Sequence, residues 1–299
     1  MSLPSQISQK WHDISDITKI KICGQKDVYR AISQSYGPIA IKVYRNLDSR
    51  AEREIQLMQG FDKPQIPRIF DYHCFADEHE LQMVILEEFI EGNSLRDYLA
   101  EGKRYDIEQT IRLLHFLLDI VVFLESNAVV HRDIKPDNIL CSTDGSFRLI
   151  DFGLARDLSQ ASITATGDFG PCTPGYAPPE QFRNVKAQIT SRADLFAIGV
   201  VAYEMISGKN PYVEKDDSLF DILSRTGTMP TPILPLIDEY NRELFSFIRA
   251  LMAKQVYKRP PNATKAYEWF LRICQERELS IEKDQKTLEE EKKMGDFLE

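Results

Sequence analysis

Alternation of apolar and polar positions divides the chain into a strand-patterned first third and a helix-patterned remainder. IAIKVY, Ile39–Tyr44, is rich in β-branched residues, and its period of two predicts a strand with Ala40 and Lys42 on one face. Asp48 or Ser49 can cap a helix over Ala51–Gln59 that Gly60 would end, with Glu54 and Met58, four apart, sharing a face. Leu81–Phe89 predicts a long strand, and the polar Glu91–Ser94 after it reads as a hinge. Beyond that point Thr110–Ser126 carries apolar residues at helical spacing on all sides, as a buried helix does. Leu195–Ile206 and Leu244–Met252 continue the helical pattern.

One stretch, VVHRDIKPDNILC (Val129–Cys141), breaks both periods. His131, Arg132, Asp133, Lys135, Asp137 and Asn138 crowd together between apolar flanks, Val129 and Val130 before and Ile139 and Leu140 after. Polar groups held that close to a core need a chemical reason. Downstream, Asp144-Gly145 is a two-residue hairpin signal between short β-like runs. With those residues as the tip, Asn138 stands opposite Asp151 at the open end. An amide oxygen beside a carboxylate suits Mg²⁺, which takes few protein ligands and completes its shell with phosphate oxygens and water. Asp133 and Lys135 lie just upstream of that pair.

Composition changes the picture little. The 299 residues can bury roughly 75% of their unfolded surface, enough for one large domain or two lobes. The nearly apolar run at Ile198–Tyr203 is far short of the ~20 residues of a membrane span, and the N-terminal MSLPSQISQKWHD has no apolar signal core. Five cysteines scattered without pairing or metal-ligand spacing lead us to expect a reducing, cytoplasmic setting. The net charge of −9 argues against nucleic acid as the main partner. The charge run at Glu276–Glu299 reads as a solvated helix or tail.

HRDIKPDN (His131–Asn138), DFG (Asp151–Gly153) and CTPGYAPPE (Cys172–Glu180) closely resemble the eukaryotic-type protein kinase family. Four further motifs follow in the family's order: IAIK with Lys42, REI with Glu54, RADLFAIGVVAYEM with Asp194 and YKRP with Arg259. The likeness covers residues 15–275. It implies an α+β, bilobal fold, with a small β-rich N-lobe carrying one main helix over 15–89 and a larger α-helical C-lobe over 90–275. The hinge falls at about 88–93, an extension precedes at 1–14, and a charged helix or tail follows at 276–299.

The same resemblance implies a serine/threonine protein kinase, using ATP and Mg²⁺ and acting on Ser or Thr hydroxyls of a protein substrate. Asp133 would accept or orient the proton of the attacking hydroxyl, and Lys135 would stabilise charge on the transferring phosphoryl group. Thr173 would bond both. Asn138 and Asp151 would hold the metal, and Lys42, paired to Glu54, would grip the α- and β-phosphates. Adenine would bond the backbone of Glu88 and Ile90, and Val28, Ala40 and Leu140 complete the nucleotide-binding set. His131 would pack beneath Phe152, Arg132 would meet a phosphate on the activation segment, and Asp194 and the pair Glu180–Arg259 would act as structural ties. Lys135 and Thr173 favour Ser/Thr over Tyr specificity, and the TPGY…PPE segment favours a protein over a small-molecule acceptor.

Three departures stand out. The family's three phosphate-loop glycine positions fall on Lys21, Cys23 and Lys26, leaving only Gly24. Glycines let backbone N–H groups approach phosphates, so their loss predicts weakened ATP affinity, offset in part by the charge of Lys26. Glu87 occupies the residue guarding the pocket behind adenine, where it could compete with Glu54 for Lys42. The activation segment, Asp151–Glu180, carries Ser159, Ser162, Thr164 and Thr166, of which Thr164 and Thr166 are the preferred sites for phosphate-dependent ordering. The irregular loop leaves a pseudokinase scaffold as an alternative reading, with a small-molecule kinase as another.

Overall fold

A computed structural model of the chain describes residues 3–23, 26–45, 49–76, 81–141, 146–151, 172–234 and 241–278. Two compact units emerge: Met1–Tyr98 with Pro136–Gly167, and Leu99–Lys135 with Asp168–Glu299. The first is rich in sheet and the second in helix, as the sequence pattern and the resemblance led us to expect.

In the first unit, β1 (Ile14–Cys23), β2 (Lys26–Ser33), β3 (Gly37–Arg45), β4 (Ile69–Ala76) and β5 (Leu81–Glu88) form an antiparallel sheet ordered β1-β2-β3-β5-β4. Strand register separates two faces. Tyr29, Ala31, Ile39, Ile41, Val43, Val84 and Leu86 share one, packed against Ile7 of helix α1 (Leu3–Lys10) and Trp11 just beyond it. The Trp11 indole N–H donates to Asp71 at 2.7 Å, satisfying its one polar atom. Ile7 and Trp11, ahead of Ile14, therefore belong to this core. The opposite face is read from the pairings Lys26↔Tyr44, Val28↔Lys42, Lys42↔Ile85 and Ala40↔Glu87, since directly opposed residues point the same way. Ala40 and Lys42 thus share a face, as their spacing predicts. Helix α2 (Ser49–Gln59) buries Ile55 and Met58, and its Gln56 amide donates to the Tyr72 hydroxyl of β4 at 2.9 Å. It ends where Gly60 turns its N–H to the Leu57 carbonyl.

A second small sheet, ordered β6-β7-β8, joins β6 (Asn93–Ser94), β7 (Ile139–Cys141) and β8 (Phe147–Leu149). Asn93 and Ser94, read from sequence as hinge, are paired to Cys141 and Leu140. Ser94 then caps α3 (Leu95–Ala100) through reciprocal bonds with Asp97. The β7–β8 register corrects the expected hairpin. Ile139 pairs with Leu149 and Cys141 with Phe147, and the Ile150 amide donates to the Asn138 carbonyl at 2.9 Å. Asn138 therefore stands opposite Ile150, one residue short of Asp151. Asp144-Gly145, the expected tip, lies outside the described residues. Asp151 leaves the ladder with a positive φ of 61°, a conformation rare for a side chain larger than hydrogen.

The second unit is helical: α4 (Ile107–Ser126), α5 (Pro179–Phe182), α6 (Ser191–Ser207), α7 (Leu219–Thr228), α8 (Arg242–Leu251) and α9 (263–278). A capping box between Asp106 and Gln109 opens α4, which buries Leu113, Leu114, Leu117, Leu118, Ile120, Val121 and Leu124, in keeping with its apolar pattern. Thr190 caps α6, and Gly208 in the left-handed region ends it. Gly199 lets α6 and α8 approach closely, since a Cβ there would meet Leu251 and Met252 within 3 Å. Among the described residues no helix is long and apolar enough to cross a membrane.

Candidate functional site

Two clusters of charged and polar side chains carry the candidate chemistry, one in each unit. In the first unit, the face of the large sheet opposite α1 holds Lys26, Lys42 and Glu87 at matched register. The Lys42 ammonium lies 2.5 Å from Glu87 and 2.6 Å from Asp151 Oδ1, and Lys26 reaches the same Asp151 oxygen at 2.6 Å. All four side chains are at least 85% buried. Taking unpaired charges out of water would be prohibitive, and the two lysines and two carboxylates balance one another. Burial opposes the charge on Lys42, but Asp151 and Glu87 outweigh it and hold its pKa above the ordinary range. Burial likewise works against ionised Asp151, yet Lys42 and Lys26 bring its pKa well below the usual carboxylate value. Glu87 moves the other way: burial raises it, with the Lys42 charge only partly compensating.

Val28 and Ala40 are buried on this same face, beside Lys42. Tyr44, fully buried with the Lys26 ammonium 5.7 Å from its ring centre, belongs to it as well. The period of two in IAIKVY that pairs Ala40 with Lys42 also reaches Tyr44, so that signal was present in the sequence. Glu88 closes β5 opposite Ile39 and donates its amide to the Arg68 carbonyl at 2.8 Å, and Ile90 follows in irregular backbone. Leu140 sits mid-strand in β7 between Ser94 and Arg148. Asn138 is buried at the end of a short 3₁₀ turn, Pro136–Asn138. Lys42 is thus brought to Glu87 and Asp151. The side chain of Glu54, its expected partner, lies outside the described residues, as do Gly24, Phe152, Gly153, Ser159, Ser162, Thr164 and Thr166 and the side chains of Lys21 and Cys23.

In the second unit, Asp133, Lys135 and Thr173 form a closed triangle. The Thr173 hydroxyl donates to Asp133 Oδ1 at 2.7 Å and accepts from the Lys135 ammonium at 3.1 Å, while Lys135 also lies 3.1 Å from Asp133 Oδ2. The segment bearing Asp133 is fixed from below by Asp194 of α6, whose two carboxylate oxygens each accept a backbone N–H, from His131 and Arg132, at 2.8 Å. Complete burial pushes the Asp194 carboxyl up to about 6 against those bonds. Arg132 holds a positive φ of 66°, and its carbonyl accepts from the Gln181 amide at 2.9 Å. That strained turn persists because Asp194 and Gln181 over-determine it. His131 is fully buried, and its Nδ1 faces the Asp133 amide at 3.3 Å.

Thr173 is placed by its own surroundings. The Tyr176 and Ala177 amides return to the Thr173 carbonyl, and Gly175, just before Tyr176, takes a φ of 83°. A Cβ at 175 would meet Val213 at 2.7 Å, so only glycine fits. The Tyr176 hydroxyl donates to buried Glu204 of α6. Farther along, Glu180 accepts two guanidinium bonds from Arg259, at 2.6 and 3.0 Å, and Arg259 donates also to the carbonyls of Ala253 and Arg192. Both side chains of this bidentate pair are buried. Gln181 and Glu204 escaped the sequence reading, because an isolated Gln or Glu carries no local signal that it faces inward.

A family model described as "Protein kinase domain" matches residues 24–270. The chain is 29% identical over 82% of its length to "Probable serine/threonine-protein kinase pknA2" of Bifidobacterium longum, covering 33% of that protein. It is 30% identical over 79% of its length to "Probable serine/threonine-protein kinase PknB" of Lactococcus lactis, covering 38%. With "Serine/threonine-protein kinase PknL" of Mycobacterium tuberculosis it shares 33% identity over 65% of its own length and 49% of that protein's. The chain spans about a third of the length of the first two of these curated relatives.

Proposed function

Because the chain belongs to the protein kinase domain family, we propose that it is a serine/threonine protein kinase, transferring the γ-phosphoryl group of ATP to a Ser or Thr hydroxyl of a protein. The observation that carries this reading is the triangle of Asp133, Lys135 and Thr173. A carboxylate held between a hydroxyl and an ammonium group is positioned to orient an acceptor hydroxyl and take its proton. Lys135 supplies positive charge where the transferring group becomes more anionic. Thr173 orients both. Phosphoryl transfer asks for this kind of positioning and electrostatic support rather than covalent chemistry.

Lys42 is suited to the ATP phosphates, and the oxygen donors of Asn138 and Asp151 to Mg²⁺, which prefers such hard ligands. Asp151 fits that use because its neighbours keep it anionic. A bound metal supplies charge neutralisation between phosphate groups. Val28, Ala40 and Leu140 offer apolar surface to adenine, with the backbone of Glu88 and Ile90 as its hydrogen-bonding partner. The relatives, named as serine/threonine-protein kinases, support Ser/Thr acceptors. We assign a cytoplasmic setting on the scattered thiol pattern alone.

Incubation of the chain with Mg²⁺ and radiolabelled ATP, with and without a generic protein acceptor, tests the proposal. Transfer to Ser or Thr, abolished in Asp133→Asn, is the expected result. Nucleotide binding without transfer would favour a scaffold role instead, a reading that the glycine-poor loop supports. Labelling of a metabolite but never of protein would favour a small-molecule kinase.

A further inference from the structure

We propose that Lys26 is a second phosphate-anchoring residue for a nucleoside di- or triphosphate, substituting one side-chain charge for the backbone contacts of a glycine-rich turn. The inference rests on the proposed use of Lys42 and Asp151 for nucleotide. Lys26 opens β2 opposite Tyr44, on the same face as Val28 and Lys42. A lysine at the start of a strand usually keeps its ammonium group in water. This one turns inward, leaving 15% of its side chain exposed, and brings its ammonium group to 2.6 Å from the Asp151 oxygen that Lys42 also holds. Two ammonium groups on one oxygen lie no farther apart than twice that distance.

Like charges converge in a buried place only where anions compensate them. Lys42 keeps a second carboxylate, Glu87 at 2.5 Å, whatever Asp151 does. Among the described residues Lys26 has Asp151 as its one ion-pair partner, so once Asp151 is engaged elsewhere its charge is the one left to be met. A polyphosphate meets it. Adenosine, without phosphate, cannot. The positions that would carry glycine hold Lys21, Cys23 and Lys26, so the backbone approach those glycines allow is curtailed just where Lys26 offers a charge.

Equilibrium binding of adenosine, ADP and ATP to the full chain, each with Mg²⁺ and with chelator, separates this role from structural support. Lys26→Ala should weaken ADP and ATP by about tenfold or more while adenosine changes less than about twofold, and Lys26→Arg should recover most of the loss. Unchanged ATP affinity in Lys26→Ala, or an equal loss for adenosine and ATP, overturns the inference while leaving the kinase reading in place. A wild-type chain that binds none of the three ligands overturns both.

Discussion

Lys42 of β3 and Glu87 of β5 meet at 2.5 Å although they are not directly opposed: Ala40 faces Glu87, and Lys42 faces Ile85. The contact runs diagonally across one face of the sheet, within reach of a long side chain. It gives Lys42 a carboxylate from the sheet itself, in addition to any that α2 provides. Glu87→Gln preserves shape and removes that charge. Its unfolding free energy should fall by less than the about 3–5 kcal/mol of a buried pair broken from one side, because Asp151 remains beside Lys42. Lys42→Met, which leaves two buried carboxylates with Lys26 alone, should be destabilised more. Urea unfolding of both variants gives the order, and the reverse order would discard this account of the cluster.

Thr173 bridges Asp133 and Lys135 through one hydroxyl. Thr173→Ala should lower kcat about tenfold with the KM for ATP little changed, since it loosens the orientation of both groups. Thr173→Ser keeps the oxygen and should retain most of the rate. Steady-state kinetics on the two variants checks this, and equal rates for Ala and Ser would remove the hydroxyl from the mechanism.

The buried pair Glu180–Arg259 ties the segment after Thr173 to the turn before α9. Arg259→Ala should cost about 3–5 kcal/mol, leaving Glu180 charged and buried. Arg259→Lys should recover little, because an ammonium cannot make the bidentate fork. The double variant Glu180→Ala/Arg259→Ala should lose less than the two single losses combined, measured as a cycle of unfolding free energies.

Asp194 gives a pH dependence of defined sign. Its folded pKa is pushed by burial up to about 6 from an ordinary 3.8, so between those values the folded chain holds a proton that the unfolded chain has released. Its contribution is therefore fully present below about 3.8 and is lost as pH rises through about 6, by up to about 3 kcal/mol. Asp194→Asn cannot titrate there. The stability of wild type relative to this variant should fall between pH 4 and pH 7 in denaturant titrations, and a flat difference would contradict the assignment.

Much of this was legible before any coordinates. The period of two in IAIKVY placed Ala40 and Lys42 on one face, the spacing in Thr110–Ser126 announced a buried helix, and the HRD, DFG and TPGY…PPE motifs pointed to one kinase fold. These features depend on neighbours along the chain, where sterics and side-chain period leave few choices. Other features depend on partners far apart in sequence. The β7–β8 ladder slipped by one residue from the hairpin signal, because its register answers to pairing with β6 and the bonds of Asn138 and Ile150 rather than to two turn residues. That Lys26 joins Lys42 on a single Asp151 oxygen could not be read from spacing at all. Electrostatic pairing between buried groups is decided by which of them three-dimensional packing strips of water together, and no local pattern encodes that.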